Sequence, residues 1–301
     1  MTEGYAGGSE GAALNALLPQ GLLLLGCGRM GQAMLAGWLE AGLAPEAVTV
    51  IDPHPSDWLA AQVTAGVRLN ETPEVPPSAF VIAVKPQMMQ EALAPWARFG
   101  DGDTTFLSIA AGTTLAGLEA ILGANSRIIR AMPNTPAAIG RGISAIVGND
   151  RASEGDLTLA ERLLAAVGQV VRLADEGLMD AVTAVSGSGP AYVFLLIETL
   201  AAAGERAGLP ADLALVLARE TVAGAGELAR RSGEDPAILR QNVTSPGGTT
   251  AAALEVLMDP ERGFGPLMEA AVARAAARGR ELAGAVRGGE AAQTEEREGK
   301  R

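Results

Sequence analysis

The sequence predicts an α/β protein: an N-terminal, doubly wound parallel sheet of the Rossmann type, followed by an all-helical domain. Three observations carry this reading. From residue 22 to about residue 173, short apolar runs alternate with segments of helical length, the pattern of strands joined by crossover helices. The first of these runs, LLLL at residues 22–25, passes directly into GCGRMG, with Gly26, Gly28 and Gly31 at the G-x-G-x-x-G spacing that opens a dinucleotide-binding unit. From about Glu176 the strand-like runs stop, and long alanine-rich helical segments replace them.

Residues 1–19 contain Gly, Ser and Ala without a clear period and are expected to form a flexible extension. Residues 20–175 are expected to form the dinucleotide-binding domain, residues 176–287 a helical dimerisation and substrate domain, and residues 288–301 a charged, disordered tail. The LLLL run suits a strand buried on both faces. In the loop that follows, Gly26 permits a tight turn and Gly28 lets the backbone approach a pyrophosphate. Gly31 lets the next helix pack close, and the free N–H groups at the helix start face the phosphates. Cys27, Arg29 and Met30 belong to the same loop.

A second strand at residues 48–51 ends in Asp52, about where an acid binds the adenosine ribose. Further strands, all read as parallel, are expected at residues 80–84, 105–109, 127–131, 143–147 and 170–173. Ligands bind such sheets at the carboxyl ends of the strands, and KPQ, AAG and RAMPNTPA fall at those ends. In the last of these, Asn134 and Thr135 offer side-chain hydrogen bonds between stiffening prolines. In the second half a Ser/Gly turn precedes Pro190, and helices start near Pro190, Pro210 and Pro236, with a last helix over roughly residues 265–286. Their apolar faces are too wide for a small domain to cover alone, which implies dimerisation.

Composition narrows the chemistry. The net charge of −12 disfavours nucleic acid and anionic membrane as partners. No apolar run approaches the ~20 residues that a membrane-spanning helix needs. The first nineteen residues lack Lys and Arg, unlike a signal peptide, and a cytoplasmic protein is the simplest reading. With 48% apolar residues and only 3% aromatics, the core is expected to be aliphatic. Cys27 is the single cysteine, His54 the single histidine, and Lys85 and Lys300 the only lysines. That excludes an internal disulfide framework and metal sites built on several His or Cys ligands.

A second stretch, NVTSPGGTT at residues 242–250, leads into AAALEVL. Thr249 or Thr250 is a candidate cap for the new helix, and Gly247 and Gly248 free the backbone to curl. N–H groups and hydroxyls gathered at a helix start suit a carboxylate, hence a small acidic substrate beside the nucleotide.

These residues carry a resemblance. VSGSGPAYVF at residues 185–194 and NVTSPGGTTAAALEVL at residues 242–257 resemble the hallmark segments of pyrroline-5-carboxylate reductase. GCGRMG, AVKPQ, SIAAG and RAMPNTPA match that family in the same order, and the likeness runs from about Leu22 to Val286. It implies NAD(P)H-dependent reduction of L-1-pyrroline-5-carboxylate to L-proline by a homodimer or a ring of dimers. By motif position, cofactor contacts fall on Gly26, Cys27, Gly28, Arg29, Met30 and Gly31, on Ala83, Val84, Lys85 and Pro86, and on Ala110, Ala111 and Gly112. Asp52, Asn70 and Asn242 complete the expected cofactor set.

Substrate contacts fall on Asn242, Gly248, Thr249 and Thr250, with Glu176 at a position near the substrate. In this reading the N–H groups of residues 248–250 hold the carboxylate, and the Thr250 hydroxyl acts as the catalytic donor to the ring nitrogen. The family more often uses NADPH, whereas Asp52 favours NADH; Arg29, or His54 if protonated, would have to meet a 2′-phosphate. The rivals are another NAD(P)-dependent imine or 3-hydroxyacid oxidoreductase and a non-catalytic nucleotide-binding regulator. The 3-hydroxyacid enzymes need a lysine in an interdomain helix, and none lies between Lys85 and Lys300.

Overall fold

The structure, a computed structural model, describes residues 14–298, with side chains as far as residue 282. It divides into two compact units: Ser188–Ala275, and a sheet unit made of the chain before and after that segment.

The sheet unit is built on β1 (Leu22–Leu25), β2 (Val48–Ile51), β3 (Arg68–Leu69), β4 (Ala79–Ile82), β5 (Thr105–Ser108), β6 (Arg127–Met132), β7 (Gly142–Gly148) and β8 (Gly168–Arg172). Their order is β3-β2-β1-β4-β5-β6-β7-β8, so the succession reverses direction between β1 and β4. The four leucines of β1 are all buried because the strand has a core on each face. Leu22 and Leu24 pack with Val48, Val50 and Val81; Leu23 and Leu25 pack with Phe80, Ile82 and Phe106.

Two expectations about the sheet are corrected. β7 runs antiparallel to β6, although every other neighbouring pair is parallel. Only a 3₁₀ segment, Thr135–Ile139, separates the two strands. A parallel return needs a crossover of about a dozen residues or more. β3 was not foreseen, since two residues are too few to show a period.

α1 (Arg29–Glu40), α2 (Asp57–Thr64) and α5 (Glu154–Ala165) supply Leu35, Leu59 and Leu163 to the first core. The Trp38 indole N–H donates to Leu163 O at 2.8 Å. On the other face lie α3 (Met89–Leu93) and α4 (Leu115–Leu122). That core is not purely aliphatic: Phe80 meets Trp96 at 5.5 Å and Phe106 at 5.3 Å between ring centroids. Four of the chain's ten aromatics, Phe80, Trp96, Phe99 and Phe106, gather in this core.

At the edge of the sheet where β5 and β6 begin, Asp156 is buried. Its carboxylate closes a capping box with Ser153, accepts from the Thr105 hydroxyl and faces Arg127 at 3.5 Å. Burial opposes its charge, but the Ser153 and Thr105 hydrogen bonds and Arg127 outweigh burial and hold the carboxyl below its ordinary value.

The chain termini depart from expectation. Residues 14–17 are helical, and Leu14 and Leu18 are buried in the first core. Asn15 fixes the segment, donating to Gly42 O at 3.0 Å and accepting from Ala44 N–H at 3.1 Å. The expected extension therefore does not reach residue 19, and residues 1–13 lie outside the described part. The last helix, Phe264–Glu298, continues through most of the expected tail, whose Ala, Glu, Gln and Arg residues are good helix formers. Residues 299–301 lie outside the described part.

After α6 (Met179–Val182) the expected Ser/Gly turn is instead a π-helical turn, Thr183–Gly187, running straight into α7 (Gly189–Arg206). The second unit holds α7, α8 (Ala211–Ser232), α9 (Pro236–Asn242), α10 (Thr249–Leu257) and the first part of α11 (Phe264–Glu298). α7 and α8 meet through the small residues Ala201, Gly204, Ala214 and Ala218. Val193, Phe194, Leu195, Val216 and Leu217 stay exposed in the single chain. The helical run Glu176–Arg206 is, by length and composition, apolar enough to cross a membrane. The uninterrupted apolar runs of the sequence did not suggest a segment of that kind.

Candidate active site

The reversal of strand succession puts the carboxyl ends of β1 and β4 side by side, the crevice where open α/β sheets take their ligands. The turn after β1 is tied to both neighbours. Gly26 N–H donates to Ile51 O and Ala83 N–H to Leu25 O, each at 2.8 Å. Gly26 has φ +90°, and a Cβ there would sit 3.0 Å from Ala83 O. At Gly31 a Cβ would lie 2.5 Å from Gly26 O, so α1 packs against its own turn as only glycine allows.

Gly28 differs from both. It is the N-cap of α1 and offers no side chain to cap the helix, and a Cβ would meet nothing within 4 Å. The first bond into the helix is Gln32 N–H to Gly28 O. The N–H groups of Arg29, Met30 and Gly31 therefore have no partner among the described residues. An open glycine in front of unclaimed N–H groups fits a pyrophosphate.

Asp52 stands at the end of β2 with both carboxylate oxygens engaged. Oδ2 accepts from Cys27 N–H at 2.7 Å and Oδ1 from His54 N–H at 2.8 Å. Asn70 holds the Asp52 backbone from the side: its Oδ1 accepts from Asp52 N–H and its Nδ2 donates to Asp52 O, each at 2.9 Å. Asn70 has φ +55°, among the described residues the one non-glycine with positive φ, in a region that Asn tolerates. Burial and the Asp52 charge together push the Cys27 thiol up to about 12.

Ala83, Val84, Lys85 and Pro86 follow β4, with Ala83 and Val84 half-buried and Lys85 exposed. Ala110, Ala111 and Gly112 follow β5 in a turn whose Gly112 has φ +79°. Thr113, next in that turn, is buried with no hydrogen-bond partner for its hydroxyl among the described residues. Thr114 caps α4 by accepting from Gly117 N–H at 3.1 Å.

Asn134 links the β6–β7 connection to the π-turn: Oδ1 accepts from Ile143 N–H at 2.9 Å and Nδ2 donates to Ser186 O at 3.1 Å. Glu176 also belongs to the sheet unit. Its Oε1 accepts from the Arg130 guanidinium at 2.6 Å and from Leu115 N–H at 2.9 Å. Arg130 lies within the RAMPNTPA segment, yet nothing in the sequence singled it out. Its one signal is a charged residue among apolar neighbours, Ile128, Ile129 and Ala131, in a strand pattern.

In the second unit, the helix entry is built differently from expectation. Gly248, not a threonine, is the N-cap of α10, and no side chain caps it. Gly248 N–H donates to Ser245 O at 3.0 Å, so it is not available to a ligand. Ala252 N–H closes the first turn on Gly248 O at 3.2 Å. The N–H groups of Thr249, Thr250 and Ala251 have no partner among the described residues, nor do the two threonine hydroxyls. Gly247 has φ +68°, and Asn242 is exposed as the last residue of α9.

Comparison with known proteins gives this arrangement a family. A family model for pyrroline-5-carboxylate reductase dimerisation matches residues 176–282, and one for coenzyme F420-dependent NADP oxidoreductases matches residues 22–112. The pyrroline-5-carboxylate reductase of Synechocystis is 42% identical over 263 residues, covering 86% of this chain and 97% of that protein. The chain belongs to the pyrroline-5-carboxylate reductase family.

The enzyme of that name from Pisum sativum is 39% identical over 262 residues, covering 86% of this chain and 94% of its own. A solved pyrroline-5-carboxylate reductase from Coxiella burnetii superposes with TM-score 0.82 at 31% identity, covering 87% of this chain and 98% of that one. A Plasmodium falciparum pyrroline carboxylate reductase, solved with NADP bound, gives TM-score 0.75 at 28% identity, with the same coverage of 87% and 98%. As a member of the family, this chain is an NAD(P)H-dependent oxidoreductase that acts on an imine bond and associates with itself. The apolar residues that α7 and α8 leave exposed lie within the segment that the dimerisation model matches.

Proposed function

We propose that this chain reduces L-1-pyrroline-5-carboxylate to L-proline with NAD(P)H, the final step of proline biosynthesis, with the site residues in the following roles. The observation that carries the reading is the glycine-capped start of α10 in a chain of this family. It offers three unclaimed N–H groups and two unclaimed hydroxyls, among the described residues, to a small carboxylate.

The N–H groups of Thr249, Thr250 and Ala251 hold the substrate carboxylate, with Asn242 beside them. The N–H groups of residues 29–31 hold the pyrophosphate, with Gly28 leaving room for it. Residues 83–86 and 110–112 flank the same crevice, and Asp52, set by Asn70, meets the adenosine ribose. Bound NAD(P)H supplies the hydride. Hydride arrival at the C=N carbon drives electron density onto the ring nitrogen, so a donor placed there lowers the barrier. The Thr250 hydroxyl is that hydrogen-bond donor, and a proton taken up from solvent at the nitrogen completes the amine. Holding the imine by its carboxylate fixes which carbon is presented, and orientation of this kind supplies much of such a rate.

No lysine or histidine base is needed, consistent with their scarcity in the chain. The same reading makes the enzyme cytoplasmic. The test is the loss of NAD(P)H absorbance on adding pyrroline-5-carboxylate. Substrate-dependent oxidation is expected, and its absence overturns the reading.

A further inference from the structure

β1, β2, β4 and β5 run parallel, so their amino ends share the edge of the sheet opposite the ligand crevice. The segment that leads into β1 is fastened all along this edge. Leu14 and Leu18, four apart and 5% and 3% exposed, belong to the first core together with Trp38, Leu43 and Val48. Between them Asn15 holds the connection from α1 to β2, through its bonds to Gly42 O and Ala44 N–H. Leu18 N–H donates to Asn15 O at 3.1 Å and Gly21 N–H to Leu18 O at 2.9 Å, which turns the segment into the start of β1.

From there the bonds cross the sheet. Gln20 N–H donates to the Ser78 hydroxyl at 3.0 Å, one residue ahead of β4. Ser78 N–H donates to Gly21 O at 3.0 Å, and Ser78 O accepts from the N–H of Thr105, the first residue of β5, at 3.1 Å. On the other side Gly21 closes on the start of β2. It has φ +75°, and a Cβ there would lie 2.6 Å from Ala47 O. We propose that residues 14–21 form a brace: a conformational device that ties the amino ends of β1, β2, β4 and β5 together while their carboxyl ends stay open for a ligand.

The need for such a brace follows from the far edge. There the same strands lead into a turn that depends on Gly26, Gly28 and Gly31, and the N–H groups of residues 29–31 have no partner among the described residues. Polar groups left unclaimed for a ligand lower the stability of the site that holds them. The brace offsets that loss without entering the crevice, by burying two leucines and engaging backbone groups of four strand starts. It precedes residue 22, where the match to the NADP oxidoreductase family model begins, so membership of the family does not imply it.

The test compares the full wild-type chain with Asn15→Ala and with the double variant Leu14→Ala/Leu18→Ala, by Tm and by amide hydrogen exchange. The double variant is expected to lower Tm by at least about 8 °C, as the truncation of two buried leucines implies. Asn15→Ala removes one donor and one acceptor and is expected to lower it by about 2–4 °C. This milder variant keeps the test decisive if the double variant folds poorly. In both, exchange should rise about tenfold more at residues 44, 78 and 105, at the amino ends, than at residues 26 and 83, whose amides are bonded at the carboxyl ends. An equal rise at the two edges would make these ordinary core and turn residues and overturn the proposal. Faster exchange confined to residues 14–21, with Tm unchanged, would show that the segment merely lies on the sheet and would overturn it as well.

Discussion

Gly28 and Gly31 belong to one motif, yet the structure assigns them opposite sensitivities. At Gly28 an added Cβ meets nothing within 4 Å, and its φ of −69° suits alanine. Gly28→Ala gains about 0.4–1 kcal/mol by restricting the unfolded chain. It loses about 0.5–1 kcal/mol because alanine is a poorer N-cap than glycine. The two nearly cancel, so Tm is expected to move by no more than about 2 °C. The new methyl instead stands where a pyrophosphate must approach. Crowding of that kind costs about 1–3 kcal/mol, which is about 5- to 150-fold in the NADPH Kd.

At Gly31 the added Cβ lies 2.5 Å from Gly26 O, nearer than real Cβ atoms come. Gly31→Ala therefore strains the fold by about 1–3 kcal/mol, less about 1 kcal/mol regained in helix propensity. Tm should fall by up to about 8 °C. Differential scanning fluorimetry and isothermal titration of NADPH, run on both variants, separate the two effects. A Gly28→Ala protein with wild-type NADPH affinity, or one that melts as early as Gly31→Ala, would refute the reasoning.

Three further outcomes follow from the site and its supports. Thr250→Ala should cost about 2–4 kcal/mol of transition-state stabilisation, or about 30- to 900-fold in kcat, while Thr250→Ser keeps most of it; steady-state kinetics decide. Asp52→Asn removes the charge but keeps one acceptor for the Cys27 N–H. The ratio of kcat/KM for NADPH over NADH should rise at least about fivefold, the equivalent of about 1 kcal/mol of exposed charge repulsion. Asp156 has a carboxyl held below its ordinary value of 3.8 in the folded protein, so its contribution is complete above pH 3.8 and is lost as pH falls through the lower folded value. The wild-type Tm should therefore drop more steeply below about pH 4 than that of Asp156→Asn, as acid-range thermal melts would show.

The sheet was legible wherever local pattern and long-range order agreed. The LLLL run could be read as doubly buried, because no polar residue interrupts it, and the glycines marked the turn. β7 was read with the wrong direction because strand polarity is not written in a strand. It follows from the length of the preceding connection, which Pro133 and Pro136 disguise as a loop of any kind. The π-turn at Thr183–Gly187 leaves no periodic signature in so short a stretch and passed for a Ser/Gly turn.

At the candidate site, the spacing marked residues 245–250 but misassigned the cap. Threonine and glycine rank about equally as caps, and only the backbone course shows Gly248 taking the place. Leu14 and Leu18, spaced four apart, were a helical signal hidden among small residues. The Arg130–Glu176 pair was out of reach: 46 residues separate its members, and nothing in either neighbourhood names the other.

The Asp52–Cys27 contact has a consequence for reagents rather than for substrates. With its thiol pushed up to about 12, Cys27 exists as thiolate to only about one part in 10⁵ at pH 7, against a few per cent for an ordinary cysteine. Alkylating agents and peroxide attack the thiolate. The native protein should therefore resist both, and it has no second cysteine with which to form an internal disulfide. A cell under oxidative stress would find this glycine loop chemically silent, its sulfur kept inert first by burial and then by the carboxylate that faces the ribose in the proposed reading.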